Sequence, residues 1–500
     1  MRRFAALAAA AWAALLVGCA AVPEAPAGPP STLRVAPADG ALARLSSAAG
    51  LPAEGSAFRP LLASQDALAA RLNLIERAEV GLDLQTYILG DDATGRQVMR
   101  ALRDAAARGV RVRLLVDDMH TVGLTGLLLG LAAHANLEVR LYNPFPAGRE
   151  SWALRALGAI GHFERLNRRM HNKLFVADGR VAIVGGRNLA DAYFLRHDEA
   201  NFIDFDVLAA GPVAAELGGH FDAYWNSPFA VPIQALADNG LDDENRRASF
   251  ARLAAPEPGE TAAPAHPGAG TPGPLVPAPV EVFFDSPDKT AGVRRAQERL
   301  PVARLLGEAR SRVVVVSPYF VPSDAGIERL RAARARGVEI QVITNALDAS
   351  DEPLVQAAYG RKRTALLRSG IRLFELSAER MERRVGAGSP GRLHAKIAFV
   401  DERRLLVGSM NLDPRSVNTN TELALSIDSP ELTREVLRQL QPARAGGLYE
   451  VHLAADGERL QWVAPDDAGH AERRDDEPAP PWWARLRLWL LSWLVPDELL

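Results

Sequence analysis

The sequence predicts an α/β protein of two pseudo-twofold related α/β/α lobes, each with a mixed, largely parallel sheet. Three observations lead there. Strand and helix periodicities alternate through residues 56–226. The same order of elements returns in the second half of the chain. One polar motif then stands at the same place in both halves.

Residues 80–88 alternate apolar and polar as a half-buried strand does, and residues 95–108 carry helical periodicity. Residues 109–116 form the next strand and end at Asp117-Asp118. In the second half, residues 313–320 read as a buried strand, 325–336 as a helix, and 337–344 as a strand. That last strand opens on the same Arg-Gly-Val step as its counterpart at Arg108. Repeated strand–helix–strand units favour parallel pairing through helical crossovers.

The motif reads Met170-His171-Asn172-Lys173, Asp178 and Gly185-Gly186-Arg187-Asn188 in the first half. The second copy reads Leu393-His394-Ala395-Lys396, Asp401 and Gly408-Ser409-Met410-Asn411. Alternation over residues 171–176 predicts a strand that places His171 and Lys173 on one face. Asp178-Gly179 and Asp401 fall at hairpin turns and are read as structural. The chain holds 58 basic side chains but only four lysines: Lys173, Lys289, Lys362 and Lys396. Two of them follow the motif histidines, where a compact ammonium is wanted rather than a planar guanidinium.

This residue set suits a phosphodiester. One histidine can attack while the other holds a proton. Lysines supply charge where the transition state concentrates it, and asparagine amides add donors. No cysteine cluster or histidine-rich tract marks a metal site, and no cofactor is expected. His120, His134 and His220 lack such a setting and are read as surface or core residues.

The paired motif resembles the HKD motifs of the phospholipase D superfamily. Residues 84–88, 165–173, 224–227, 317–322, 411–416 and 497–500 resemble its bacterial cardiolipin synthase C-like branch. The resemblance implies phosphatidyl transfer through a covalent phosphohistidine. His171 is carried over as nucleophile and His394 as acid/base, the near-symmetric motifs leaving the reverse open. Lys173, Lys396, Asn188 and Asn411 would hold the phosphate, with Gly186 and Ser409 lining it. An acid downstream of each motif orients its histidine in this family: Glu422 would serve His394, and Asp204 would serve His171. The branch makes cardiolipin from phospholipids. Hydrolysis by a phospholipase D, a nuclease, and a non-catalytic lipoprotein are the alternatives.

The rest of the chain bounds these readings. Residues 1–18 form a leader in which Arg2-Arg3 precede an apolar run too short to span a bilayer. It ends in Leu16-Val17-Gly18-Cys19, which resembles a bacterial lipobox. Cys19 is the only cysteine, so lipidation rather than a disulfide accounts for it. The expected place is the cell envelope, facing the periplasm, with Ala20 favouring the outer membrane. Residues 19–45 read as a tether, 46–240 and 281–445 as the two lobes, and 241–280 as a Pro-rich linker. Residues 446–500 read as an extension that closes on a Trp-rich amphipathic helix, interfacial or core-packed. Arg165, Arg168 and Arg169 are read as meeting headgroups or forming a solvated basic face. The partners expected are phospholipids and a membrane surface, with a helper protein left open. The formal charge of -3 gives no basic footprint for nucleic acid.

Overall fold

A computed structural model describes residues 29–48, 55–256, 274–293, 301–385, 391–465 and 471–479. Cys19 and the Trp-rich segment 481–500 lie outside the described residues.

Each motif hairpin sits inside a large mixed sheet. In chain order the first-lobe strands are β1 (Ala57–Leu61), β2 (Gly81–Thr86), β3 (Arg111–Asp117), β4 (Leu137–Tyr142), β5 (Leu174–Ala177), β6 (Val181–Gly185), β7 (Asn201–Ile203), β8 (Asp206–Ala210) and β9 (Ala230–Pro232). β10 (Val276–Pro277) and β11 (Val280–Phe284) follow. The second lobe adds β12 (Arg312–Val316), β13 (Glu339–Asn345), β14 (Arg372–Leu376), β15 (Gly391–Leu393), β16 (Ile397–Val400), β17 (Arg404–Gly408), β18 (Leu423–Asp428), β19 (Leu448–Leu453), β20 (Leu460–Pro465) and β21 (Ala471–Arg474).

The first sheet runs β10-β1-β8-β6-β5-β2-β3-β4-β9 and the second β11-β18-β17-β16-β12-β13-β14-β19-β20-β21. The run β8-β6-β5-β2-β3-β4 is thus repeated as β18-β17-β16-β12-β13-β14. Within the two large sheets parallel pairing is confined to β2-β3-β4 and β12-β13-β14, so these sheets are mixed but not largely parallel. The reason is local. Helices such as Ala93–Ala107 and Asp324–Ala335 provide the crossovers between parallel strands. The motif segments enter as tight hairpins, which can only pair antiparallel.

Burial follows this duplication. Ala182, Val184 and Val207 of the first sheet share one core with Val316, Val407 and Leu425 of the second. Helices Pro212–Trp225 and Pro430–Gly447 contribute Phe221 and Val436 to it. Separate cores lie on the outer faces, one built on Leu82, Leu102 and Leu128, the other on Val313, Leu330 and Leu366.

Three boundaries differ from the sequence reading. Residues 31–36 pack on the first lobe rather than acting as tether: the Ser31 backbone bonds Asn226 and the Ala36 N–H bonds the Asp178 carbonyl. The linker contains helix Asp243–Leu253, whose Phe250 is buried against the first lobe's outer core. β19, β20 and β21 extend the second sheet, so residues 448–465 and 471–474 belong to that lobe.

Arg113 is fully buried in the first lobe, with ion pairs to Asp83 and Asp222 at 2.6 Å each. It also donates to Ser31, which pins the N-terminal segment. Arg113→Ala strands two carboxylates in a low-dielectric site. The expected loss is about 3–5 kcal/mol, read as a lower midpoint in urea denaturation.

Candidate active site

The two motif histidines reach the interface between the lobes on extended segments just outside the sheets. Residues 171–173 precede β5, and residues 394–396 precede β16. They are not strand residues, because their backbone groups bond across the pseudo-dyad. The His171 N–H donates to the Thr421 carbonyl, and the His394 N–H donates to the Ile203 carbonyl. β7 and β15 pair in parallel at the same crossing.

The acceptors just named precede Glu422 and Asp204, so the acids cross as well. His171 Nδ1 lies 3.0 Å from Glu422 Oε2, and His394 Nδ1 lies 2.6 Å from Asp204 Oδ2. This reverses the pairing expected from sequence. Each acid serves the histidine of the opposite lobe, and neither dyad exists without both lobes. The arrangement sets the tautomers: each Nδ1–H donates to a carboxylate, which leaves Nε2 of each ring for chemistry.

Lys173 Nζ donates to the His171 carbonyl at 2.7 Å, and Lys396 Nζ sits 2.9 Å from His394 Nδ1. All four groups are buried. Burial, with Lys396 nearby, pushes the Lys173 ammonium down to about 7. Burial brings Lys396 to about 8, Asp204 opposing the fall. Burial also pushes the His171 imidazole down to about 4 against the pull of Glu422. Burial therefore weakens the positive charge of these groups, and an anion beside them would restore it.

Gly186 and Ser409, expected to line the phosphate, are buried against the two acids. Their N–H groups donate to the carbonyls of Phe205 and Leu423, the residues after the acids. A Cβ on Gly186 would stand 2.1 Å from Asp204 Oδ1. The Ser409 hydroxyl, fully buried, donates to Glu422 Oε2 at 2.5 Å. Both residues position their own lobe's acid. Gly186→Ala should therefore displace Asp204 and cut turnover about ten- to hundredfold with little change in KM for the lipid, a split that steady-state kinetics would read.

The remaining motif residues divide between support and cleft. Asp178 and Asp401 both adopt φ of 54° at the hairpin turns. Asp178 accepts the N–H groups of Glu79, Val80 and Gly81, and Asp401 those of Arg310, Ser311 and Arg312. Each staples its hairpin to the strand that enters beside it. Asn188 Oδ1 accepts the Ile88 N–H at 3.1 Å, while Asn411 Oδ1 is buried without a hydrogen-bond partner.

Several residues at the site were not legible beforehand. Asp117 accepts the Met170 N–H at 2.8 Å, and Asn345 accepts the Leu393 N–H at 2.9 Å, so equivalent strand ends hold both histidine segments. Tyr87 packs edge-on against both His171 and His120. His120 is thus an exposed neighbour of the site. Tyr193 and Phe202 flank the His394 ring. Arg169 belongs to neither role foreseen for it: it is buried on Asp117, at 2.6 Å.

A family model described as "Cardiolipin synthase, PLD-like domain" matches residues 72–225 and 302–443, more than half of the chain. This chain belongs to the cardiolipin synthase-like branch of the phospholipase D superfamily. It is 38% identical over 466 residues to cardiolipin synthase C of Escherichia coli K12, covering 88% of this chain and 95% of that protein. Cardiolipin synthase A of Pseudomonas fluorescens is 28% identical over 385 residues, 76% of this chain and 67% of that protein. Among solved structures, phosphatidylserine synthase of Haemophilus influenzae shares the fold. It has a TM-score of 0.56 at 13% identity and covers 92% of this chain and 100% of its own. The chain is a phospholipase D superfamily phosphatidyltransferase.

The lowered values of Lys173 and Lys396 give the binding of an anion beside them a pH dependence. Sulfate, a dianion across this range, favours the charged lysines. Its stabilisation should be full below about 7 and fade as pH rises through about 8. The empty protein runs the other way. From about 7 up to the ordinary lysine value the unfolded chain holds more protons, so stability rises with pH there. Thermal melts with and without sulfate at pH 6 and pH 9 check both signs. Lys173→Met serves as the control for non-specific salt effects.

Proposed function

We propose that the chain makes cardiolipin by moving a phosphatidyl group from one phospholipid to the headgroup hydroxyl of another, through a phosphohistidine. The observation that carries this is the pair of crossed dyads, His171–Glu422 and His394–Asp204, buried with Lys173 and Lys396 in one interlobe site.

His171 Nε2 attacks the donor phosphorus as the bond to the headgroup oxygen breaks. That oxygen takes the proton from His394 Nε2. His394 then removes the proton from an acceptor hydroxyl, whose oxygen attacks the phosphorus and releases His171. Lys173, Lys396 and the Asn411 amide stabilise the charge on the non-bridging oxygens in both steps.

The dyads differ in a way that supports this direction. Glu422 shares its charge with the hydroxyls of Ser409 and Ser416, at 2.5 and 2.7 Å. Asp204 makes the shorter histidine contact, and its carboxyl is held far below its usual range against burial by His394 and Lys396. Burial and Lys396 hold the His394 imidazolium below its usual range, and Asp204 opposes them, so the shorter contact supports the proton that a general acid must carry.

Cys19 carries a lipid anchor in this reading, with the enzyme facing the periplasm from the outer membrane. Among the described residues no helix is long and apolar enough to cross a membrane.

Lipid mass spectrometry on the purified protein tests the reaction. Phosphatidylglycerol, alone and mixed with phosphatidylethanolamine, should give cardiolipin with wild type and none with His171→Ala or His394→Ala. Phosphatidic acid without cardiolipin would make the chain a hydrolase. Membrane release of Cys19→Ala on cell fractionation tests the anchor.

A further inference from the structure

The segment that leads into the first motif has its polarity turned inside out. Helix Trp152–Gly158 and the turn to helix Phe163–Leu166 expose Trp152 (54%), Leu154 (54%), Leu157 (46%), Ile160 (65%) and Phe163 (62%). These are five of the eleven large apolar side chains exposed among the described residues. The inward residues are Arg155 and Gly158, buried where a soluble helix would place leucines.

This face is built, not loose. Arg155 reaches inward to the carbonyls of Asp118 and Met119 and lies 4.7 Å over the Phe145 ring. Asn143 Nδ2 donates to the carbonyls of Arg165 and Arg168 at 2.9 and 2.7 Å, closing the far end. A Cβ on Gly158 would stand 3.1 Å from the Ala147 Cβ, so the helix lies close against the chain beneath it. A rigid base under an apolar outer face is the opposite of what packing within one soluble chain produces.

Charge selects the occupant. Residues 149–168 carry four arginines against Glu150 and Glu164, and buried Asp118 pairs with two of them, Arg149 and Arg155, which leaves Arg165 and Arg168. The Arg165 guanidinium bonds Asn143 Oδ1 and the Pro144 carbonyl, and neither Arg165 nor Arg168 has a carboxylate partner among the described residues. Apolar side chains flanked by two guanidinium groups that no carboxylate neutralises match a bilayer of anionic phospholipid, with acyl chains beneath and phosphates at the rim. The segment also runs straight into the site, since Arg168 is followed by Arg169, Met170 and His171.

We infer that residues 152–163 are the surface by which this enzyme seats on an anionic phospholipid bilayer, bringing the mouth of the interlobe site to the lipid headgroups. The inference rests on the phospholipid reading for its purpose, but its test does not.

Hydrogen exchange on the full-length protein should slow over residues 152–163 when phosphatidylglycerol vesicles are added. It should change less with phosphatidylcholine vesicles. Leu157→Ser with Ile160→Ser should remove that protection and lower turnover on vesicles about tenfold or more. Turnover on monomeric short-chain phosphatidylglycerol should stay at the wild-type value. Leu253→Ser, at an exposed apolar residue elsewhere, should change neither. Exchange that vesicles leave unchanged would overturn the inference. So would protection already complete without lipid: if independent of concentration it would mean that residues 481–500 cover the face, and if concentration-dependent, a second copy. Wild type inactive on both substrates yet protected by vesicles would retain the surface and overturn only the proposed reaction.

Discussion

Glu422→Gln should lower turnover by about three to four orders of magnitude, the scale of removing the carboxylate that holds a catalytic imidazole in its tautomer. The physical reason is the 3.0 Å contact to His171 Nδ1. A neutral amide no longer stabilises positive charge on the ring, and its own N–H group can turn toward Nδ1 and move the proton to Nε2. The attacking nitrogen is then blocked. The crossed geometry makes a sharper claim than loss of activity. A phosphodiester with a p-nitrophenol leaving group needs no proton on departure, so a defect in the acid is rescued and a defect in the nucleophile is not. Asp204→Asn should keep a burst of p-nitrophenol, because it weakens His394 only. Glu422→Gln should show none. With His171 as nucleophile, the opposite pattern would mean that each acid serves its own lobe.

Why that crossing was illegible is itself physical. The repeat shows that residues around Asp204 and Glu422 hold equivalent places in their lobes, and the structure keeps them equivalent. Sequence carries no record of which side of a pseudo-dyad a side chain reaches. The decision is made by backbone bonds from His171 to Thr421 and from His394 to Ile203, which exist only once the lobes have docked. Features within one lobe were readable, because spacing alone determines them. The hairpin after Lys173 turns where Asp178-Gly179 predicts, and the strand and helix starting near residues 80 and 95 lie within a few positions of expectation. Arg169 shows the limit in another way. Three arginines in a row of five residues look like a surface, and only the fold supplies the buried Asp117 that takes one of them inside. Gly186 was read as room for a ligand. The room is real, but Asp204 fills it.

The same two-lobed construction predicts what happens when the histidines are removed one at a time. His171→Ala should abolish turnover and leave no covalent adduct, since it removes the buried imidazole that lies beside Lys173. His394→Ala should also abolish turnover on phospholipid, yet accumulate a phosphohistidine at His171 with the p-nitrophenyl substrate. Departure of the phenolate needs no acid, whereas the second step still needs a base to take the acceptor's proton. The adduct should be stable to alkali and lost in acid, as a phosphoramidate is, and intact-mass measurement before and after acid would read it. Residual turnover of each single variant should fall at least about four orders of magnitude below wild type, and the double variant should fall no further, because groups that act as one unit do not add. An adduct that forms in His171→Ala and not in His394→Ala would exchange the two roles. That exchange would also reverse the meaning of the carboxylate contrast, placing the nucleophile beside the concentrated charge of Asp204 and the acid beside Glu422, whose charge two serine hydroxyls already share.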